Sequence, residues 1–320
     1  MSSTQAGAIG SASASSRHTG IALLAGYFAL YAVMLLAMRR AGNFDVTEPL
    51  LVLAILGFGF SLAAWLLTIR VKPLPYSVNE PKRELAVILA YLPLVMAFIT
   101  WGLGFLRGYV LAEPAHSTAI LAAKLMVAVV IPAVIMRVLF GYSLRELAPM
   151  AAPAGHVFAA LGMSVLLLAF QAVLGRGLRD IASAHPPAST LAFGFPLVFV
   201  WLALEAGVVE EFFFRVLLQS RLSAAVKSEL GGIVLMSLIF GLAHAPGLYL
   251  RTGLTLEGLP THPSLLLAVG YSIVIISVAG FFIGVLWART RNFAVVVVVH
   301  AMGDLLPNLL PTLRSLRLLG

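Results

Sequence analysis

The chain has 320 residues, 61% of them hydrophobic and 11% charged, with a net charge of +8, a mean hydropathy of +1.01 and no cysteine. A soluble domain carries about 25% charged residues, so this chain cannot cover its surface with polar groups, and its solvent is lipid. Disulfide and thiolate chemistry are excluded, and so is nucleic acid as an expected partner: the basic residues are scattered at the ends of apolar runs, as in Arg39–Arg40 and Lys82–Arg83, where membrane proteins meet headgroups.

Residues 1–19 are rich in Ser, Ala and Gly and lack the basic start and cleavage site of a signal peptide. A disordered tail is expected there, and the first apolar run is expected to stay in the mature protein. A helix crossing a bilayer needs about 20 mostly apolar residues. The sequence predicts helices over 20–38, 49–69, 84–106, 117–140, 155–174, 191–219, 231–245, 265–288 and 292–310, or eight to nine spans, because 231–245 is short for a full crossing. The joints 70–84, 144–156, 175–189 and 247–264 mix Pro, Gly and charge, as inter-helix loops do.

The expected fold is therefore all-α, a polytopic transmembrane helical bundle with a polar intramembrane cavity. It divides into the tail (1–19), N-terminal transmembrane helices (20–190), a helical core that carries the chemistry (191–312) and a C-terminal tail (313–320). With nine spans and the N-terminus inside, Lys and Arg are in weak excess on the inner side. The excess of Arg over Lys and the lack of a eukaryotic sorting signal point to a bacterial inner membrane. Lys124, inside an apolar run, either snorkels to an interface, the more frequent case for a lysine near a helix end, or faces the bundle interior.

The second half holds Glu205, Glu210, Glu211, His244, His300 and Asp304 in or at the edge of apolar helices. An ionisable group near the bilayer centre costs at least about 2.5–3.5 kcal/mol, so six of them require compensation from one another or from a wet cavity. In "VVEEFFFRVLLQ" (208–219), Glu211 and Arg215 stand at i and i+4, one helix face, and are expected to pair. Glu210, on a different face without a local counter-charge, is free to act as a general base or acid. The blander alternative seats all three at the membrane edge against headgroups. In "SLIFGLAHAPG" (237–247), Phe240 and His244 share a face, and a histidine there is either a bonded core residue or a catalyst. In "VVVVVHAMGDLLPNLLP" (295–311), His300 and Asp304 are again one turn apart, placed to bond each other, to hold a metal or to line a site.

Taken in order, "EEFFFR", "FGLAH" and "HAMGD" fit EExxxR, FxxxH and HxxxN/D motifs. The segment 195–310 resembles the CPBP family (CAAX protease and bacteriocin-processing), whose members include the type II CAAX prenyl endopeptidases. That resemblance implies an intramembrane endopeptidase of glutamate type, acting on a protein or peptide with a membrane-associated segment. Glu210 and His244 would activate water, and His300 and Asp304 would stabilise the oxyanion. Glu211, Arg215 and Phe240 would be structural support. Two positions depart from the family: Asp304 stands where many members carry an amide, and Val216 follows the arginine where glycine is common. An ionised carboxylate only accepts hydrogen bonds, so Asp304 must be protonated or act by orienting His300.

No cofactor is expected, although a variant with zinc held by Glu210, His244 and His300 fits the residue types. Two readings of other classes compete with a protease: a proton-coupled transporter, since intramembrane Glu/His/Asp chains relay protons, and a non-catalytic scaffold or immunity protein. The substrate, and whether it is prenylated, is not written in the sequence.

Overall fold

The computed structural model describes residues 14–42, 44–109, 112–250 and 259–319. It is 83% helical, with no strand among the described residues. Nine helices there are long and apolar enough to cross a membrane: α1 (Ser15–Ala41), α2 (Thr47–Leu67), α3 (Pro81–Leu106), α4 (Ala115–Phe140), α5 (Ala154–Leu174), α6 (Ala188–Ala225), α7 (Glu229–Leu250), α8 (Leu265–Thr290) and α9 (Phe293–Ser315).

Three expectations change. The first helix starts at Ala14, so its initial turns occupy part of the expected tail; the rest of that tail, 1–13, lies outside the described residues. The short 231–245 segment is the middle of α7, whose 22 residues reach about 33 Å at 1.5 Å per residue, enough to cross. Glu229 and the glycines after it hid its start from a hydropathy reading. The 175–189 joint contains a short helix, Gly177–Ala184. Most of the 247–264 joint, residues 251–258, lies outside the described residues.

The last helices form the interior. In α8 and α9, 61% of the apolar window is buried in protein, against 11–17% in α1 to α3, whose side chains face lipid. Helix α7 packs along α8 and α1, while α9 is flanked by α5 and α6. The α7–α8 approach depends on Gly241, where a Cβ would collide with the Ser272 carbonyl and with Ser277; close backbone contact at small residues is how helices associate without a hydrophobic driving force. The phenylalanines of "EEFFFR" are all core: Phe213 and Phe214 pack edge to face, and Phe214 packs on Phe240 with ring centroids 5.1 Å apart.

Helix α6 is irregular. It is π-helical over Ala203–Val208 and Glu211–Gln219, with Glu210 at the junction. In hydrocarbon every backbone polar group needs an internal partner. The Val216 carbonyl finds two side-chain donors, Tyr76 Oη at 2.8 Å and Arg221 Nη1 at 2.7 Å.

One end of the bundle is tied across by polar contacts. The extended segment after α2 runs there: the Leu74 amide bonds the Thr290 carbonyl, and His156 bonds the Lys72 carbonyl at 3.0 Å. Asn292 Nδ2 donates to the Ala151 carbonyl at 2.6 Å. The centre of this end is a fully buried ion pair, Arg221 Nε to Glu84 Oε2 at 2.8 Å. The other Glu84 oxygen accepts from the Asn79 and Glu80 amides and from Tyr142 Oη, at 3.1, 2.7 and 2.9 Å. Tyr142 lies between α4 and α5, and burial pushes its hydroxyl up to about 12, so it stays a donor at neutral pH.

Candidate active site

A cavity of about 390 Å³ lies inside the bundle. Glu210 from α6, His244 and Phe240 from α7, and His300 and Asp304 from α9 all line it, with Gln171 from α5. The remaining wall is apolar and comes from α2, α5, α8 and α9. Four of the six ionisable residues singled out in the apolar helices, Glu210, His244, His300 and Asp304, therefore line one space.

His300 is the centre of the polar contacts. Its Nδ1 lies 2.6 Å from Glu211 Oε1, and an ionised carboxylate only accepts, so the ring nitrogen donates. Its Nε2 faces the cavity, 3.4 Å from Asp304 Oδ2 and 3.8 Å from Glu210 Oε2. Both ring nitrogens thus face carboxylates, an arrangement that suits the doubly protonated ring. His244 uses Nδ1 on the Phe240 carbonyl at 2.8 Å, the ordinary bond of a core histidine. That bond leaves Nε2 as the other nitrogen of a ring that also lines the cavity.

The expected Glu211–Arg215 pair forms despite the π geometry. Arg215 Nε lies 3.0 Å from Glu211 Oε2 and both side chains are fully buried, although the N–H is not aligned for a hydrogen bond. Arg215 also abuts the Met236 thioether, and its guanidinium lies 5.1 Å from the centre of the Phe240 ring. Phe240 thus touches both sides of the site, Arg215 on one and the His244 ring, 4.9 Å away, on the other. What the sequence reading missed is the second role of Glu211: one carboxylate holds both Arg215 and His300. The i, i+4 rule finds partners within a helix and is blind to a contact between α6 and α9.

Glu205 does not join the cavity. It pairs with Lys124 Nζ at 2.6 Å and accepts from Trp201 Nε1 at 3.1 Å. Lys124 thus has a partner within the protein, because a carboxylate on α6 stands within reach of α4. Glu84 and Arg221 were also missed as partners; the available signal was that each is a charge at the end of a long apolar run.

The zinc variant does not fit this arrangement. Among the described residues no three His, Asp or Glu side chains are grouped to hold a metal ion.

Nine helices among the described residues, long and apolar enough to cross a membrane, mark an integral, multi-pass membrane protein. The family model described as type II CAAX prenyl endopeptidase Rce1-like matches residues 192–306, from α6 into α9, so the helices that carry the site are similar to those of the CAAX protease family. The match also supports the coarser reading of a membrane protease. No curated protein and no solved structure matches the chain significantly.

Proposed function

We propose that the protein is an intramembrane endopeptidase that hydrolyses a peptide bond of a membrane-associated protein or peptide in a bacterial inner membrane. The observation that carries this reading is the convergence of Glu210, His244, His300 and Asp304 on one cavity between apolar helices. Glu210, aided by His244 Nε2, takes a proton from water as its oxygen attacks the scissile carbonyl. The developing oxyanion is stabilised by the Nε2–H of His300, which turns from Asp304 to the substrate oxygen. The C–N bond then breaks, and the proton held on Glu210 passes to the leaving amine.

In this scheme Glu211 orients and charges the His300 ring through Nδ1, and Arg215 neutralises Glu211. Asp304 holds the outer nitrogen of His300 protonated until substrate arrives. The carboxylate thereby acts through the imidazole, which resolves the clash between an ionised Asp and an oxyanion. No metal enters the scheme.

The test is cleavage by the purified full chain in liposomes. Two internally quenched peptides serve as probes: one with a farnesylated C-terminal Cys-aliphatic-aliphatic-X tail, and one with an unmodified apolar anchor. Cleavage of at least one is expected, with Glu210→Gln and His244→Ala inactive. Wild-type rates in Glu210→Gln would refute the mechanism. An inert wild type would return the chain to the scaffold reading, or to the transporter reading if the liposomes show proton uptake.

A further inference from the structure

Helix α5 lies outside the stretch matched by the family model, yet Gln171 on it lines the cavity of the site. Its side chain is almost fully buried. Nε2 donates to the Met302 carbonyl at 2.8 Å, and Oε1 accepts from the Leu306 amide at 3.2 Å. The orientation of the amide is fixed by its partners, since a backbone carbonyl only accepts and a backbone N–H only donates. Met302 and Leu306 are i and i+4, so one carboxamide grips both ends of a single helical turn. Gly303 and Asp304 lie within that turn, and His300 lies just before it.

This turn needs external support. Pro307 follows it and offers no N–H to the Gly303 carbonyl, and a second proline, Pro311, stands one turn further on. The end of the turn is also met by the short helix Gly177–Ala184, whose Gly177 sits so close that a Cβ would lie 2.6 Å from the Leu306 carbonyl oxygen. The segment from Gln171 to Gly177 therefore clasps the weakest turn of α9, where Asp304 must meet His300.

We infer that Gln171 is a positioning residue, and that its carboxamide fixes the turn 302–306 so that Asp304 stays against His300 Nε2. The inference rests on the proposed protease reading for its catalytic consequence, but not for its structural one. Only a carboxamide supplies the donor and the acceptor together. Glutamate would accept from Leu306 and repel the Met302 carbonyl, and methionine would fill the space and bond neither.

The experiment compares wild type, Gln171→Met and Gln171→Glu as full chains in liposomes, using the farnesylated and the apolar-anchored quenched peptides. Two readouts are taken. The first is the side-chain 15N resonance of His300 Nε2, assigned by its loss in His300→Gln and independent of any substrate. The second is kcat and KM. In folded Gln171→Met the resonance is expected to move, and kcat to fall about 10- to 100-fold, the scale of a misplaced catalytic group, with KM little changed; Gln171→Glu is expected to retain part of both. An unmoved resonance with unchanged kcat overturns the inference. A moved resonance with unchanged kcat reduces Gln171 to a packing residue and also overturns it. A fall in kcat with an unmoved resonance places Gln171 on the substrate instead of α9. If wild type cleaves neither peptide, the protease reading fails, while the resonance still decides whether Gln171 positions the pair.

Discussion

Replacing Glu211 by alanine should damage stability and activity together, because one carboxylate serves two partners. Its Oε2 lies 3.0 Å from Arg215 Nε, and its Oε1 lies 2.6 Å from His300 Nδ1, with both Glu211 and Arg215 inaccessible to solvent. Alanine leaves the guanidinium charged and alone in a dry interior, and removing one member of a buried pair costs about 3–5 kcal/mol. The Arg215 N–H is poorly aligned on the carboxylate, so the loss is expected from charge more than from a hydrogen bond. Glu211→Gln removes the same counter-charge, so it should cost nearly as much, about 3 kcal/mol, with only the dipole of its amide oxygen left to face Arg215. Its amide cannot accept from both sides at once. One face must present N–H either to Arg215 or to His300 Nδ1, and the second case forces the wrong tautomer. Reversible unfolding in SDS measures the stability term, and cleavage of the quenched peptides measures the other. The double substitution Glu211→Ala/Arg215→Ala should recover part of the stability and none of the activity, since it removes the orphan charge but not the vacancy beside His300. Glu211→Ala within about 1 kcal/mol of wild type would mean that Arg215 is not held as a buried ion.

At the cavity, Asp304→Asn should keep substantial activity with an altered pH profile, and Asp304→Ala should lose far more; equal rates in wild type and Asp304→Ala from pH 5 to 9 would remove Asp304 from the mechanism. At the tied end of the bundle, Arg221→Ala should lower the unfolding free energy by about 3–5 kcal/mol by stranding buried Glu84, and an unchanged SDS midpoint would contradict this. Tyr142→Phe deletes one of the donors to Glu84 and should cost about 1–3 kcal/mol by the same measurement. For the Lys124–Glu205 pair, Glu205→Leu alone should reduce membrane yield and Lys124→Leu/Glu205→Leu should restore it, because the double change leaves no unpaired charge; equal yields from the two would show that the pair is solvated.

Much of this arrangement was readable in one dimension because it depends on short range. Span-length apolar runs announce helices, and i, i+4 spacing announces Glu211 with Arg215 and His300 with Asp304. Hydropathy also places Glu210 and His244 where only a shared polar space would tolerate them. What was not readable depends on which helices are neighbours. Nothing local says that Glu211 faces α9, that Lys124 on α4 faces Glu205, or that Gln171 reaches a turn 131 residues away. The π-helical character of α6 was equally hidden, because Val, Phe and Leu fill α and π turns alike. The end of α7 was misjudged for a related reason, since Pro246 and the polar residues near it read as a stop while the helix runs on to Leu250.

The Glu84–Arg221 pair has a consequence for how the chain is made. Its members are 137 residues apart, so at about 5–20 residues per second the ribosome needs about 7 to 27 s to supply the second after the first. During that interval Glu84 has no arginine. Its place in the first turn of α3 lets it wait in the headgroup layer, hydrated, while α4 and α5 are inserted. Arg221, four residues from the far end of α6, can wait at the same depth in its turn. Both charges would then be withdrawn from water only when the bundle closes, which places the dry pair among the last contacts of assembly and makes newly inserted chains open at this end the natural prey of membrane quality-control proteases.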